Sequence, residues 1–193
     1  RKQPADPEIK KWVAEYYLQQ AQASDDAGWA GQLFDRALKK AGEGIAFLSL
    51  ATSRRWHQEL SELVQRIGEE EEIRRQQWEI ERLLSPLRSV DDYARARKLG
   101  KCLAEKHGRR DLNRWWWTQR GQTIEKAEAR LNEQKTRGAD VWAKLLTLGQ
   151  ILALEPDHGQ AKSEVSLLYG EVVKLEETLD GKSGLTKNKT GRG

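Results

Sequence analysis

The chain has no methionine, one cysteine and four prolines in 193 residues, and it has no long apolar run. A single cysteine excludes an internal disulfide and is typical of a reducing compartment. No stretch approaches the about 20 apolar residues that a membrane span requires, and no signal peptide opens the sequence. These absences predict a cytoplasmic protein without a membrane partner. Because the chain begins with Arg1 and lacks methionine, we expect it to be a segment of a larger protein.

Residues that carry enzyme chemistry are also scarce. The only thiol and imidazole side chains are those of Cys102, His57, His107 and His158. A zinc site needs about four ligands at paired spacings, which this set does not offer. Cys102 falls at helical spacing beside Leu99 and Leu103, and we interpret it as a small hydrophobic residue that faces inward. We therefore expect no catalytic residue, no metal site and no cofactor.

Charge is abundant and unevenly distributed. The chain has 34 basic and 30 acidic residues, a net charge of +4. The tail at 181–193 contains four basic residues and no acid, so the rest of the chain is neutral. Within that neutral part, the segment 94–120 contains nine basic residues and two acidic ones. Such a segment favours an acidic partner, either nucleic acid or an acidic protein surface.

The hydrophobic pattern has the period of an α-helix almost throughout, and no convincing alternating strand appears. We predict an all-α fold, an array of antiparallel helix pairs with no sheet. The expected division is an N-terminal helical region at 1–87, two helix-turn-helix units at 88–180, and a flexible basic tail at 181–193.

Local signals place the first helices. Pro7 suits the first residue of a helix, and a second helix follows the capping residues "SDD" at 24–26. The first helix is expected to bury one aromatic face, made of Ile9, Trp12, Val13, Tyr16 and Tyr17. Gly42 and Gly44 are expected to end the second helix, with a third beginning near Ile45. Whether 45–85 forms one helix or two is left open by the weak point at Gly68.

An internal similarity links two later segments. Sliding the chain by 49 residues aligns Asp91–Gly121 with Asp140–Gly170, and seven of 31 positions are identical. Chance would give roughly two identities, so the match indicates a helix-turn-helix unit used at least twice.

The stretch Leu148–Gly170 adds a family resemblance. An apolar run leads to a proline, and the next helix opens with small, apolar and aromatic residues: Ile151, Leu152, Leu154, Pro156, Ala161, Val165, Ser166 and Tyr169. This pattern resembles the junction between two tetratricopeptide repeats. The resemblance implies a helical scaffold that binds a peptide or a partner helix in its concave face. The 49-residue unit is longer than the family's repeat of about 34 residues.

The sequence "RWWWTQR" at 114–120 combines tryptophans with arginines. On a helical wheel of about 100° per residue, Trp116 and Trp117 fall in the apolar sector and Trp115 falls at its edge or in solvent. Arg120 lies one turn from both predicted core tryptophans and could stack on an indole. Trp115 is thus the expected recognition residue of the triplet.

We therefore expect a protein-interaction or scaffolding module, not an enzyme. Its partner would be another protein or another domain of the parent chain, such as an acidic peptide or helix. The candidate binding residues are Arg97, Lys101, Arg109, Arg110, Arg114 and Trp115. Binding of single-stranded DNA or RNA through 94–120 is the alternative, and a purely structural or oligomerising helical segment is a third hypothesis.

Overall fold

A computed structural model describes residues 6–48 and 54–187. Within these ranges the chain forms seven α-helices and no strand. The helices are α1 Pro7–Ala23, α2 Ala27–Leu48, α3 Arg54–Leu83, α4 Val90–His107, α5 Arg110–Thr136, α6 Val141–Leu154 and α7 Gly159–Lys187. In the described part of the chain, no helix has the length and apolar character needed to cross a membrane.

The all-α prediction is confirmed, and helices pack on their neighbours along the chain. α1 packs on α2, α4 packs on α5 and α6, and α6 packs on α5 and α7. The chain divides into two compact units, Arg1–Glu79 and Ile80–Gly193. The repeat character and the three-part division expected from the sequence remain predictions.

The helix starts follow the local signals. Pro7 opens α1 behind the N-cap Asp6, whose carboxylate accepts the Glu8 amide at 2.9 Å. Asp26 accepts the Trp29 amide at 2.7 Å ahead of α2. Ser89 and Asp92 form a capping box at the start of α4. These bonds satisfy backbone N–H groups that have no partner inside the helix.

The expected end of the second helix at Gly42 and Gly44 is wrong. α2 continues through both glycines to Leu48, and the third helix begins at Arg54, not near Ile45. A Cβ on Gly44 would lie 2.9 Å from Leu60 Cδ1. Gly44 therefore allows close packing of two helices instead of making a turn. The question left open at Gly68 is also answered, because α3 runs through it unbroken.

The first unit buries a different face of α1 from the one expected. Its buried residues are Ala14, Leu18 and Ala21, whereas Trp12 and Tyr16 are exposed. The small residues pack with apolar side chains of α2 and α3 in one core: Ala30, Leu33, Phe34, Ala37, Ala41, Leu60, Leu63 and Ile67.

Ion pairs from α1 accompany this packing. Lys10 pairs with Glu43 of α2, Lys11 with Glu59 of α3 at 2.7 Å, and Arg66 of α3 with Glu15 at 3.4 Å. The helix thus turns its charged residues and small residues towards its neighbours. Of the aromatic stripe, Trp12 and Tyr16 are exposed, whereas Tyr17 is partly buried and packs against the core. Alanines face the neighbouring helices because they allow a closer approach than tryptophan and tyrosine would.

In the second unit, α4 and α5 form an antiparallel pair. Trp116 of α5 lies on Gly100, late in α4, and Arg130 of α5 reaches Pro86, just before α4 begins. A Cβ on Gly100 would overlap the Trp116 indole. A glycine on one helix therefore accommodates the largest buried side chain of the other.

The inward position expected for Cys102 is wrong, because the residue is exposed. α4 buries Tyr93, Ala96, Gly100 and Leu103, which recur at three- and four-residue steps. Cys102 lies two residues from Gly100, on the opposite side of the helix at about 200°.

The predicted tail and the last helix overlap. α7 extends to Lys187, so residues 181–187 lie within this helix, and the flexibility of the tail stays a prediction. Adding a residue to an existing helix costs far less than starting one, which lets a helix continue through a segment without an apolar period. Residues 188–193 of the predicted tail lie outside the described residues.

Candidate interaction surfaces

The six residues expected to bind a partner form two groups on adjacent helices. Arg97 and Lys101 lie one turn apart on α4, while Arg110 and Arg114 lie one turn apart on α5 and are exposed. The Gly100–Trp116 contact determines which turns of α4 and α5 lie side by side at the same level. Lys101 and Trp115 are chain neighbours of those two residues and therefore lie at the same level.

Two of the six are less available than the sequence indicates. Arg109 donates two hydrogen bonds to Asp111, at 3.2 and 2.7 Å. Those bonds hold the pKa of the Asp111 carboxyl below its usual range. Trp115, expected at the edge or in solvent, is half-buried. A broad stacking platform is therefore absent at this tryptophan.

The tryptophan triplet divides differently from the prediction. Trp116 is buried as expected, but the prediction that Trp117 is core is wrong, because 55% of it is exposed. The buried residues of α5 span roughly 0° to 120° of the wheel from Leu112, and Trp117 falls just beyond, at roughly 140°. Its indole lies at the boundary of the sector and not inside it.

The predicted stacking of Arg120 on an indole is confirmed. The guanidinium lies 4.8 Å from the centroid of the Trp117 ring. It also donates to the Leu154 carbonyl at 3.2 Å and pairs with Glu155 at 3.1 Å. Arg120 thus covers one face of Trp117 and donates a hydrogen bond to a backbone carbonyl at the C-terminal end of α6.

A buried polar network holds the loop between α3 and α4 against α6. Gln150 is fully buried, and its amide nitrogen donates to the carbonyls of Arg88 at 2.5 Å and Pro86 at 3.4 Å. Arg130 donates to the Gln150 amide oxygen and to the Pro86 carbonyl. The loop is therefore fixed by side chains from both α5 and α6.

This fixed loop carries one exposed leucine, and α6 carries two exposed apolar residues. Leu87 is 96% exposed, Trp142 71% and Leu146 48%. Trp142, Leu146 and Gln150 are spaced four apart and share one face of α6. A helical side chain leans towards the N-terminus, so the Gln150 amide and the loop that it holds lie beside the turn of Leu146. We call Leu87, Trp142 and Leu146 the α6 apolar surface.

The composition of α6 makes this exposure unusual. The sequence "VWAKLLTLGQILAL" contains one charged residue, Lys144, in 14 positions. A helix that is hydrophobic all round is normally buried. The C-terminal half of α6 is buried, because Leu148, Ile151 and Leu154 are all in the core. The N-terminal half is left uncovered on the face that carries Trp142.

A cleft of about 600 Å³ lies between α5, the end of α3 and the start of α4. Its lining includes Glu81, Tyr93, Gln119, Lys126 and Arg130. The Tyr93 hydroxyl donates to the Leu84 carbonyl at 3.2 Å, and burial raises the pKa of this hydroxyl. The lining has charges of both signs, and the tyrosine is engaged in holding the loop. Among the described residues no cluster of histidine, cysteine or carboxylate side chains could hold a metal ion.

Comparison of the chain with protein-family models, with curated proteins and with solved structures found no match in any of the three.

The sequence-derived set of binding residues did not include the α6 apolar surface. One signal was available, because α6 is the helix whose sequence is apolar on every side. Leu87 had no such signal. Its position depends on Gln150, 63 positions away in the chain, which holds the residues on either side of it.

Proposed function

We propose that this chain is a protein-interaction module that docks another protein, or another domain of its parent chain, on the α6 apolar surface. The observation that carries the proposal is the exposure of Trp142 and Leu146, one turn apart on an otherwise apolar helix. Tryptophan with one or two aliphatic neighbours is a common centre of protein interfaces.

The size and rigidity of the surface support this role. The three side chains expose on the order of 400 Å², within the size range of the largest apolar patches of monomers, which are often functional. At about 25 cal/mol per Å², covering them contributes roughly 10 kcal/mol before the costs of association. Because Gln150 and Arg130 already fix the loop of Leu87, little further ordering is needed on this side.

The experiment is a selection of binding peptides from a random displayed library on the whole chain, followed by mapping with variants. Leu146→Asp places a charge in the centre of the surface, and Leu167→Asp is the matched control on α7, where Leu167 is 69% exposed. We expect selected peptides to bind the wild-type chain and the control alike. Binding to Leu146→Asp should fall at least about tenfold, since a desolvated carboxylate opposes docking.

Both substitutions are at exposed positions, so circular dichroism and thermal unfolding should show folded variants. Peptides that bind Leu146→Asp as well as the wild-type chain would place the docking surface elsewhere and contradict the proposal.

Nucleic-acid binding through 94–120 is the second candidate, favoured by one observation. Arg110 and Arg114 are exposed, one turn apart, and neither makes an ion pair among the described residues. A labelled single strand of RNA or DNA titrated across a salt series tests it. Phosphate contacts would weaken steeply with salt, and Arg110→Glu with Arg114→Glu would reduce the slope. Absence of binding at low salt would exclude this candidate.

A further inference from the structure

We propose that Tyr169 and Val173 of α7 form a second docking surface, which accepts an α-helix of a partner protein in the way that α5 accepts α6. We call these two residues the α7 surface. The inference goes beyond the proposed function, because it concerns other residues and a helix of defined pattern. It depends on the equivalence of α5 and α7 and on a difference in what covers them.

The two helices correspond at a separation of 49 positions. α5 begins at Arg110 and α7 at Gly159, which is the same shift that aligns the two similar segments of the sequence. Leu112 and Ala161, also 49 positions apart, are both buried, at 3% and 2% exposure. Each helix follows a shorter helix on which it packs, α4 in one pair and α6 in the other. These agreements support the equivalence of α5 and α7.

One side of α5 is covered by α6. Arg120, Ile124 and Glu128 follow one another at four-residue steps and therefore form one row along α5. Arg120 donates to the Leu154 carbonyl at the end of α6, and Glu128 pairs with His158 in the turn after α6 at 3.0 Å. Ile124 lies between these two contacts and is 8% exposed. The row is thus the side of α5 that faces α6.

The equivalent row of α7 is exposed. Tyr169 stands at the position of Arg120 and Val173 at that of Ile124, and the two are 59% and 50% exposed. The buried Ala161 lies about 80° around the helix from Tyr169, so the side of α7 that is buried is a different one. α7 therefore exposes the side that its equivalent buries against another helix.

The chemistry of the α7 surface suits an apolar partner. Between positions 166 and 173 the one charged residue is Glu171, which lies about 160° around the helix from Tyr169. Ser166 and Gly170 flank the row and are small, so another helix can approach closely. Lys162, two turns before Tyr169, is engaged in an ion pair. A docked helix would thus meet an uncharged surface.

The contacts of α6 with α5 define the pattern of the partner. Leu148 and Ile151 of α6 line a small cavity shared with α5, and α6 ends at Leu154, whose carbonyl accepts from Arg120. We therefore expect a partner helix with apolar residues at positions i, i+3 and i+6 and with its C-terminal end at i+6. The Tyr169 hydroxyl, a donor at the position of Arg120, then donates to a carbonyl of the last turn.

The chain itself does not supply such a helix. Leu148, Ile151 and Leu154 are buried in their own unit, so a second folded copy cannot present them to α7. Residues 188–193 contain no apolar side chain. The occupant is therefore a helix of a partner protein.

A displayed library of helices with this pattern provides the test. Apolar residues are kept at i, i+3 and i+6, a proline two residues later ends the helix, and the other positions are randomised. Peptides selected on the whole wild-type chain are then titrated against variants. We expect binding to Val173→Asp to fall at least about tenfold, since the carboxylate loses water on docking without gaining a partner. Leu167→Asp, at an exposed position about 160° around α7 from Tyr169, is the matched control and should leave binding unchanged.

Tyr169→Phe tests the position of the helix end. Loss of the hydroxyl should weaken binding about two- to tenfold for peptides that end at i+6. Peptides whose helix continues for two further turns should show no such difference. Equal binding of the ended peptides to Tyr169→Phe and to the wild-type chain would overturn the assigned position of the helix end. Circular dichroism should show that all variants are folded, because the substituted side chains are exposed.

The outcomes separate this inference from the proposed function. Peptides that lose binding with Leu146→Asp but not with Val173→Asp would sustain the α6 apolar surface and overturn the α7 surface. Loss with Val173→Asp but not with Leu146→Asp would sustain the α7 surface alone, and loss with both would sustain both.

Three results would overturn the partner helix on α7 whatever the outcome for Leu146→Asp. One is failure to select any peptide that distinguishes Val173→Asp from the wild-type chain. The second is equal loss of binding with Val173→Asp and Leu167→Asp, which would show a general effect of charge on α7. The third is self-association that Val173→Asp abolishes, measured by analytical ultracentrifugation, because it would identify a second copy of the chain as the occupant.

Discussion

The two units of the chain both have ion pairs between helices, but their cores are packed differently. In the first, a core rich in alanine is accompanied by ion pairs between helices, such as Lys11 with Glu59. In the second, a buried tryptophan lies on Gly100, and a buried glutamine joins α6 to the loop before α4. Partly exposed ion pairs respond to pH and salt, whereas buried packing and buried hydrogen bonds respond to changes in side-chain shape. The second unit should therefore respond more strongly to changes in the shape of its buried side chains.

The largest effect is expected for Trp116→Ala in the second unit. Loss of a buried tryptophan should lower the free energy of unfolding by about 3–5 kcal/mol, because the lost burial is combined with a cavity against Gly100. Trp117→Ala is the control within the same triplet, and it should cost about 1 kcal/mol or less, mostly the contact with Arg120. Urea unfolding with hydrogen exchange resolved by segment measures both. Equal costs would show that the buried and exposed tryptophans are not distinguished as described.

The next largest effect on stability is expected for Gly100→Ala. The added methyl group overlaps the Trp116 ring and should destabilise the second unit by about 1–3 kcal/mol. Gly121→Ala is the matched control, since a Cβ there meets nothing within 4 Å, and it should stabilise α5 by about 0.5–1 kcal/mol.

The equivalent change in the first unit sharpens the comparison. At Gly44 the nearest atom to a new Cβ is Leu60 Cδ1, at 2.9 Å, a smaller overlap than the one with the Trp116 ring at Gly100. Gly44→Ala should therefore cost less than Gly100→Ala, and thermal unfolding of the two variants measures the difference. A larger cost at Gly44 would contradict the view that the second unit depends more on shape.

Gln150→Leu should have an effect similar to or smaller than that of Gly100→Ala. The substitution removes the hydrogen-bond partner that the Arg88 and Pro86 carbonyls share with the Arg130 guanidinium. We expect it to lower the free energy of unfolding by about 1–3 kcal/mol. Amide exchange at 84–89 should accelerate, while exchange in α1 should stay unchanged. Gln160→Leu, at an exposed position of α7, is the control.

The smallest effect concerns the response of the first unit to acid. Hydrogen bonds from Lys10 and then Lys40 lower the pKa of Glu43 from 4.5 to about 2. Since the folded state holds this carboxylate ionised, its contribution to stability is present above pH 4.5 and is lost as the pH falls from 4.5 towards 2. Lys10→Met should flatten this dependence, measured by unfolding between pH 6 and pH 2. An unchanged profile would show that the pair has no measurable role.

The fold class and the helix starts could be predicted because they depend on local interactions. Asp26 and Ser89 accept amides three residues away, and the helical period of the apolar residues is visible in any short window. Among the candidate site residues, Arg110 and Arg114 could be predicted to be exposed, because the helical wheel places charged residues away from the apolar sector.

The face that each helix buries was harder to predict, because it depends on which neighbours approach it. The aromatic stripe of α1 has the stronger apolar pattern, yet Ala14 and Ala21 face the core, where their small size allows close packing. Cys102 shows the same limit on α4, where Tyr93 and Gly100 set the inward direction. A wheel orders residues around a helix without saying where the neighbouring helices lie.

By itself, the sequence determined that this protein is all-α, where most of its helices begin, and that Trp116 is core, because each of these follows from interactions within a few residues. Only the tertiary structure decided that Trp117 is exposed and that the residues of the α6 apolar surface, Leu87, Trp142 and Leu146, are exposed as well. That surface depends on Gln150 holding a loop more than 60 residues away in the chain. Contacts at such separations are set by the packing of whole helices.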